Sequence, residues 1–173
     1  MQHNVRVGEE RRRDILAPAY PDDTGAADER LSGALAAYAR RETTYADTLA
    51  VLAESRLLVP VVAVLGEVDD GGADKTADMA TVLLTGADGR QALLAFTSLG
   101  TMAAWQPDAR PVAVPAGDAA KAALQDRAAA LLVDVAGPVT FVVEGDDLYG
   151  LGAGWTLARL AGGGTAWIRP GEE

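Results

Sequence analysis

The chain contains no cysteine and a single histidine, His3. Without cysteine it can form no disulfide and has no thiolate to serve as a nucleophile or a metal ligand. A serine nucleophile needs a base within hydrogen-bond reach, and we expect the imidazole of His3 to lie outside the folded part. The sequence therefore argues against a Ser-His-Asp or Cys-His arrangement, and we predict no catalytic residue.

Aromatic residues are also few, at 5%, although hydrophobic residues make up 49% of the 173 residues. The core must then be built mainly from Ala, Val and Leu, which favours layers of sheet and helix over a large ligand cavity. A phosphate-binding loop is missing as well, because neither Lys75 nor Lys121 follows a glycine. We predict one globular domain without a cofactor.

Positively charged residues are fewer than negatively charged ones. Fifteen basic residues face twenty-five acidic ones, for a net charge of −10. Such a surface repels the phosphate backbone of nucleic acids and anionic membranes. No apolar run is long enough to span a bilayer, and residues 1–20 carry charge where a signal peptide would be apolar. We expect a cytoplasmic protein with no nucleic-acid or membrane partner.

Short apolar runs separated by turn residues indicate strands. The run from Leu57 to Leu65 suits a strand buried on both faces, with Pro60 at its start or on a sheet edge. Two further runs, Met79–Leu84 and Gln91–Phe96, flank an Asp88-Gly89 turn, which predicts a hairpin. The pattern continues with a second hairpin and a last extended piece: Leu131–Val135 with Val139–Val143, and Trp155–Leu160.

Capping residues and apolar spacing indicate helices between these strands. Asp28 and Thr44 precede two segments with apolar residues at helical spacing, and Ser98 precedes a short one that ends at Pro107. An Ala-rich helix is predicted from Gly117 to about Arg127, and a closing helical turn starts at Asp146. Together these elements predict an α+β domain in which a mixed β-sheet with hairpins is covered by helices.

Turn-rich and mixed-charge segments mark the two ends. We interpret residues 1–27 as a flexible N-terminal arm, residues 28–160 as the domain and residues 161–173 as a C-terminal tail that frays after Gly162.

Carboxylates are the remaining side chains that could bind a metal ion or act in catalysis. They cluster in two places: Glu67, Asp69, Asp70, Asp74 and Asp78, and then Glu144, Asp146 and Asp147. A carboxylate-based enzyme that needs Mg²⁺ or Ca²⁺ is one alternative, but exposed carboxylates are the ordinary state of Asp and Glu. We therefore predict no metal site.

Several stretches carry a family resemblance: RLLVPVVAVLGEV (56–68), DKTADMATVLLTGADGRQALLAFTS (74–98), AAW (103–105), ARPVAV (109–114) and LLVDVAGPVTFVVEGDDL (131–148). Over roughly residues 30–160 the chain resembles the N-terminal domain of the SseB family, the enhanced serine sensitivity proteins, and looks like an actinobacterial-type member. The family is named for a growth phenotype and its biochemical activity is unsettled, so the resemblance implies no catalytic set.

The predicted function is a non-enzymatic binding or regulatory module that acts through a protein partner or a small metabolite. The most polar segment within the resemblance supplies the candidate interaction surface: Asp74, Lys75 and Asp78. A second alternative is a structural protein that self-associates, for example as a homodimer through an open edge strand.

Overall fold

The computed structural model of the chain describes residues 5–7, 19–64, 78–162 and 164–171. Its helices are α1 (Glu29–Ala39), α2 (Tyr45–Ala53), α3 (Leu99–Trp105), α4 (Ala116–Gln125) and α5 (Gly145–Gly152). Its strands are β1 (Val5–Val7), β2 (Arg56–Val64), β3 (Asp78–Thr85), β4 (Gln91–Ala95), β5 (Arg110–Pro115), β6 (Ala130–Val133), β7 (Phe141–Glu144), β8 (Thr156–Arg159) and β9 (Thr165–Ile168). The predicted α+β class is confirmed.

The main sheet has the strand order β5-β2-β3-β4-β6-β7, and β1 also pairs with β3. Its pairs are antiparallel except for β4 and β6, which run parallel. Both predicted hairpins are present, since β3 pairs with β4 and β6 pairs with β7. Gly89 has a φ of 81° in the first turn, which only glycine adopts without strain. The predicted mixed sheet is confirmed.

Three helices begin at the predicted caps. The Asp28 carboxylate accepts hydrogen bonds from the N–H groups of the first turn of α1, and the Thr44 hydroxyl does the same for α2. Ser98 and Thr101 form a capping box at the start of α3. The helices have 7 to 11 residues, and among the described residues none has the length and apolar character that a bilayer crossing requires.

Pro60 departs from its predicted position, because it lies in the middle of β2 with β5 on one side. On the other side, the N–H and C=O of Leu58 bond Phe96, just after β4, whereas Val62 pairs with Ala80 of β3. Pro60 therefore stands where β2 changes partner from β4 to β3. No ladder bond is needed there, so a residue without an N–H is tolerated.

The larger core lies between one face of the sheet and helices α1, α2, α4 and α5. Small residues of α4 allow that helix to approach the sheet closely, and Phe141 of β7 stacks with Tyr45 at 4.9 Å between ring centroids. The cluster includes these buried side chains: Leu31, Leu35, Leu49, Leu52, Leu57, Val59, Leu93, Ala119, Ala120, Ala123, Leu131, Phe141, Val143 and Leu148. This aliphatic core agrees with the low aromatic content.

In the part of the chain that the structure describes, the opposite face of the sheet is covered only in part, by α3. Met102 and Trp105 of α3 pack with Leu58, Leu94 and Phe96. Phe96 and Trp105 stack with their centroids 5.5 Å apart. Near the β3–β4 turn, α3 does not cover the part of this face that β3, β4, β6 and β7 form. The candidate site described below lies there.

The C-terminal segment forms structure that the sequence analysis treated as a fraying tail. Strand β9 pairs with β8 in a separate two-stranded sheet. The Trp167 ring packs over Gly150 of α5, and its indole N–H donates to the Asp147 carboxylate at 2.8 Å. Arg159 forms an ion pair with Asp47 of α2. The contacts of Trp167, rather than local propensity, hold β9 against α5.

Candidate functional site

The predicted interaction surface falls largely outside the described residues. Asp74 and Lys75 belong to the segment 65–77, and only the backbone of Asp78 is described, where it opens β3 opposite Val64 of β2. The surface therefore stays a prediction from the sequence.

The second acidic cluster does not converge on one point. Glu144 lies 3.5 Å from an Arg90 nitrogen, whereas Asp147 accepts from the indole of Trp167. Among the residues that the structure describes, no three His, Cys, Asp or Glu side chains are close enough together to hold a metal ion. Glu144 and Asp147 thus have different hydrogen-bond and ion-pair partners, although both lie at the start of α5.

An open groove of about 490 Å³ lies on the partly covered face of the sheet, beside the β3–β4 turn. It is lined by residues of four strands and their connections: Leu84, Gly86, Ala87, Asp88, Arg90, Gln91, Ala92, Ala129, Ala130, Leu132, Val142 and Glu144. Most of these side chains are aliphatic or small. Val142 leaves 38% of its surface exposed, which is unusual for a valine in a sheet.

Strand register explains the shape of the groove. Ala92 lies opposite Leu84 on β3 and Ala130 on β6, and Ala130 lies opposite Glu144 on β7. Alternate residues of a strand point to opposite faces, so these four side chains form one row across the sheet. Ala92 and Ala130 make a low floor in the middle of the row, and the larger Leu132 and Val142 of the next row form a wall.

The charged rim of the groove is built around Arg90. Its Nε donates to Asp88 at 2.7 Å, and its Nη1 lies 3.5 Å from Glu144. The hydrogen bond from the Arg90 side chain lowers the pKa of the Asp88 carboxyl, and the same bond raises the pKa of the guanidinium. Two carboxylates and one guanidinium leave the rim with a net negative charge.

Pairing at the β5 end of the sheet is blocked by proline. Leu58 of β2 directs its N–H and C=O towards Phe96, so alternation directs those of Leu57 and Val59 towards β5. By the same alternation, the outer edge of β5 is formed by the backbone N and C=O groups of Pro111, Ala113 and Pro115. Two of these three positions lack an N–H, which blunts the edge against another strand.

The β7 end of the sheet is covered in a different way. The hydroxyl of Tyr45 donates to the outward carbonyl of Val142 at 3.1 Å. Burial, with a smaller effect from Asp147, raises the pKa of the Tyr45 phenol above its ordinary value, so the hydroxyl keeps the proton that it donates. An outward acceptor of this edge strand is therefore already hydrogen-bonded within the domain.

A buried polar network lies at the carboxyl ends of the parallel strands β4 and β6. The Asp134 carboxylate accepts from the Thr97 N–H at 2.9 Å and from the Thr97 hydroxyl at 2.6 Å. Arg56 donates to the Thr97 carbonyl, to the Ala26 carbonyl and to Asp23. These groups satisfy one another, so the network fastens residues 19–27 and the loop after β4 to the sheet and leaves no group aimed at a ligand.

The groove was missed by the sequence analysis, which placed the interaction surface in an acidic loop. Its signal is weak: Ala92 and Ala130 are small residues at outward positions of strands whose inward neighbours are large. Finding the groove requires the parallel pairing of β4 with β6, because only that register puts Ala92 beside Ala130. Apolar alternation alone does not specify which strands are neighbours.

Comparison with known proteins gives one positive result. No curated protein and no solved structure matches the chain. The family model of the SseB protein N-terminal domain matches residues 31–149, which span the chain from the first turn of α1 to the middle of α5 and include every strand that lines the groove. That match covers more than half of the sequence, and the chain therefore belongs to the SseB family.

Proposed function

We propose that this domain is a non-catalytic binding module that holds a segment of a partner protein in the groove across β3, β4, β6 and β7. The observation that carries the proposal is the groove's composition. Its floor is aliphatic, and its charged groups, Asp88, Arg90 and Glu144, are paired with one another at the rim. Such a surface supplies apolar burial and charge matching, and it offers no group poised to activate a substrate.

A non-enzymatic role is supported by the residue inventory. The sequence has no cysteine, and its one histidine is His3. Glycosidase-type catalysis uses two carboxylates that converge on the bond to be broken, but Glu144 and Asp147 hold different partners. General acid–base chemistry thus has little support on the described surface.

A protein partner fits the groove better than a small metabolite does. Small-molecule sites usually bury most of the ligand and direct a few polar groups into the cavity. This groove is open along its length, and its polar groups lie at one rim. Exposed apolar patches bordered by charge are typical of protein contact surfaces.

The partner is proposed to contact the face of the sheet and not its edges. Pro111 and Pro115 remove two donors from the β5 edge, and the Tyr45 hydroxyl occupies a β7 carbonyl. Strand addition needs a row of unpaired donors and acceptors. Self-association through the β5 or β7 edge therefore has less support than contact through the groove.

The test is selection of a phage-displayed library of random peptides on the purified domain. We expect enriched peptides with apolar side chains, and we expect Val142→Asp to weaken their binding by about tenfold or more, because a carboxylate then lies in the apolar wall. Ile168→Asp is the matched control. Ile168 is also exposed, at 55%, but it lies on β9 and does not line the groove.

Both variants should unfold at the same denaturant concentration as the parent protein to within the error of the measurement. The proposal is overturned if no peptide family is enriched. It is equally overturned if the enriched peptides bind Val142→Asp as tightly as they bind the parent, or if Ile168→Asp weakens binding to the same extent.

A further inference from the structure

The geometry points to a partner segment that carries an arginine or lysine at the β7 end of the groove, where Glu144 selects it. This inference rests on the proposed function and specifies the chemistry of the partner. The row Leu84, Ala92, Ala130 and Glu144 changes from apolar to acidic along its length. A bound segment is thereby given a direction, with an apolar side chain near Leu84 and a cationic one at Glu144.

Glu144 is the carboxylate at the rim that is more open to a new partner. Asp88 accepts from both the backbone N–H and the Nε of Arg90, at 3.0 and 2.7 Å. Glu144 lies 3.5 Å from Nη1 of the same guanidinium. This is the longer of the two ion pairs that Arg90 forms. An incoming cation can therefore pair with Glu144 while Arg90 keeps its stronger contacts with Asp88.

The position of Glu144 in the chain supports this role. It is the N-cap residue of α5, yet its carboxylate accepts no hydrogen bond from the first turn of that helix, all of which the structure describes. Capping oxygens usually satisfy those N–H groups. The side chain instead extends over the groove face, with 56% of its surface exposed, and is available to a ligand.

Charge over the whole molecule favours the same choice. The net charge of −10 attracts cationic segments from a distance, and the rim carries a net negative charge. An anionic segment would meet Arg90 only after displacing two carboxylates. Electrostatic complementarity therefore favours a basic partner over an acidic one.

Strand spacing sets the length of the recognised segment. Neighbouring strands lie about 4.8 Å apart, so the three steps from Leu84 to Glu144 span about 14 Å. An extended chain advances about 3.4 Å per residue. The apolar and cationic side chains are therefore expected about four residues apart in an extended segment.

The experiment compares the random peptides enriched on the parent domain with those enriched on Glu144→Gln. On the parent we expect arginine or lysine about four residues from an apolar position. On Glu144→Gln we expect the basic preference at that position to disappear while the apolar preference remains. For a single parent-selected peptide, affinity should fall by about two- to fivefold, as expected for one solvent-exposed ion pair.

Two further variants make the result specific. Glu42→Gln removes an equal charge from an exposed glutamate that pairs with Arg40 outside the groove, and it should leave affinity unchanged. Arg90→Gln removes the competing guanidinium and should raise affinity for the basic peptide.

Retained selection of arginine or lysine at that position on Glu144→Gln overturns the inference, as does enrichment of acidic peptides on the parent. If Val142→Asp nevertheless abolishes binding in that experiment, the groove still binds a partner and only the role of Glu144 fails. If Val142→Asp has no effect, the proposed function itself fails.

Discussion

Asp134 has a φ of 55° and exposes 3% of its surface. The apolar pattern predicts a strand that includes Asp134 and runs to Val135, whereas β6 ends at Val133. A left-handed backbone is tolerated by aspartate and asparagine better than by most residues. Its carboxylate then reaches Thr97 of the neighbouring connection, so one residue ends a strand and fixes a second loop.

Replacing Asp134 by alanine should destabilise the domain by about 3 kcal/mol. The change leaves the N–H and hydroxyl of the buried Thr97 without their acceptors and puts alanine in a strained backbone conformation. Asp134→Asn should cost less, because its amide can accept from the N–H, donate to the hydroxyl and adopt the same φ. Urea unfolding measures the difference.

Asp108→Ala, in an exposed turn, is the control and should change stability by under about 0.5 kcal/mol. Equal losses for Asp134→Ala and Asp134→Asn would contradict this account. The network would then depend on the negative charge and not on the hydrogen bonds.

At the scale of elements, the packing of β8–β9 on α5 depends on the absence of a Cβ at Gly150. A Cβ at Gly150 would overlap the Trp167 ring. Gly33 provides the contrast, since it is also inside a helix but a Cβ there would meet nothing within 4 Å. One glycine is required by contact with another element, and the other is not.

Gly150→Ala should lower the free energy of unfolding by about 1–3 kcal/mol, because the indole must move and release its bond to Asp147. Gly33→Ala should instead raise it by about 0.5–1 kcal/mol, since alanine restricts the unfolded chain. Denaturant unfolding gives both values, and tryptophan fluorescence should shift only for Gly150→Ala. Stabilisation by Gly150→Ala would exclude the close contact.

Elements specified by neighbouring residues were predicted well. The caps Asp28, Thr44 and Ser98 and the Asp88-Gly89 turn act over a few residues, so their signals are local. Strand β9 was missed because it follows a run of glycines and is held by Trp167 against a helix far back in the sequence. The partner change at Pro60 was missed for the same reason, since it depends on which strands are neighbours.

At the scale of the whole molecule, two edge strands of the sheet, β5 and β7, have outer edges that discourage pairing. An open edge strand is one predicted route to a homodimer. Pro111 and Pro115 of β5 instead stand at alternate positions facing outward, and Tyr45 covers the β7 edge. An acidic molecule in which these two edges are protected can present an apolar groove and still avoid joining its sheets through β5 or β7.

The double variant Pro111→Thr, Pro115→Thr should therefore self-associate. It restores two outward N–H groups beside Ala113 and gives β5 a complete row of donors and acceptors, and threonine suits an extended strand. Light scattering after size-exclusion chromatography should detect dimers or larger species at concentrations where the parent protein elutes at a lower mass. Pro138→Thr changes an exposed proline in the connection from β6 to β7 and should leave the mass unchanged. If the double variant keeps the mass of the parent, proline is not what protects the β5 edge, and the preference for face contact over edge contact loses one of its two supports.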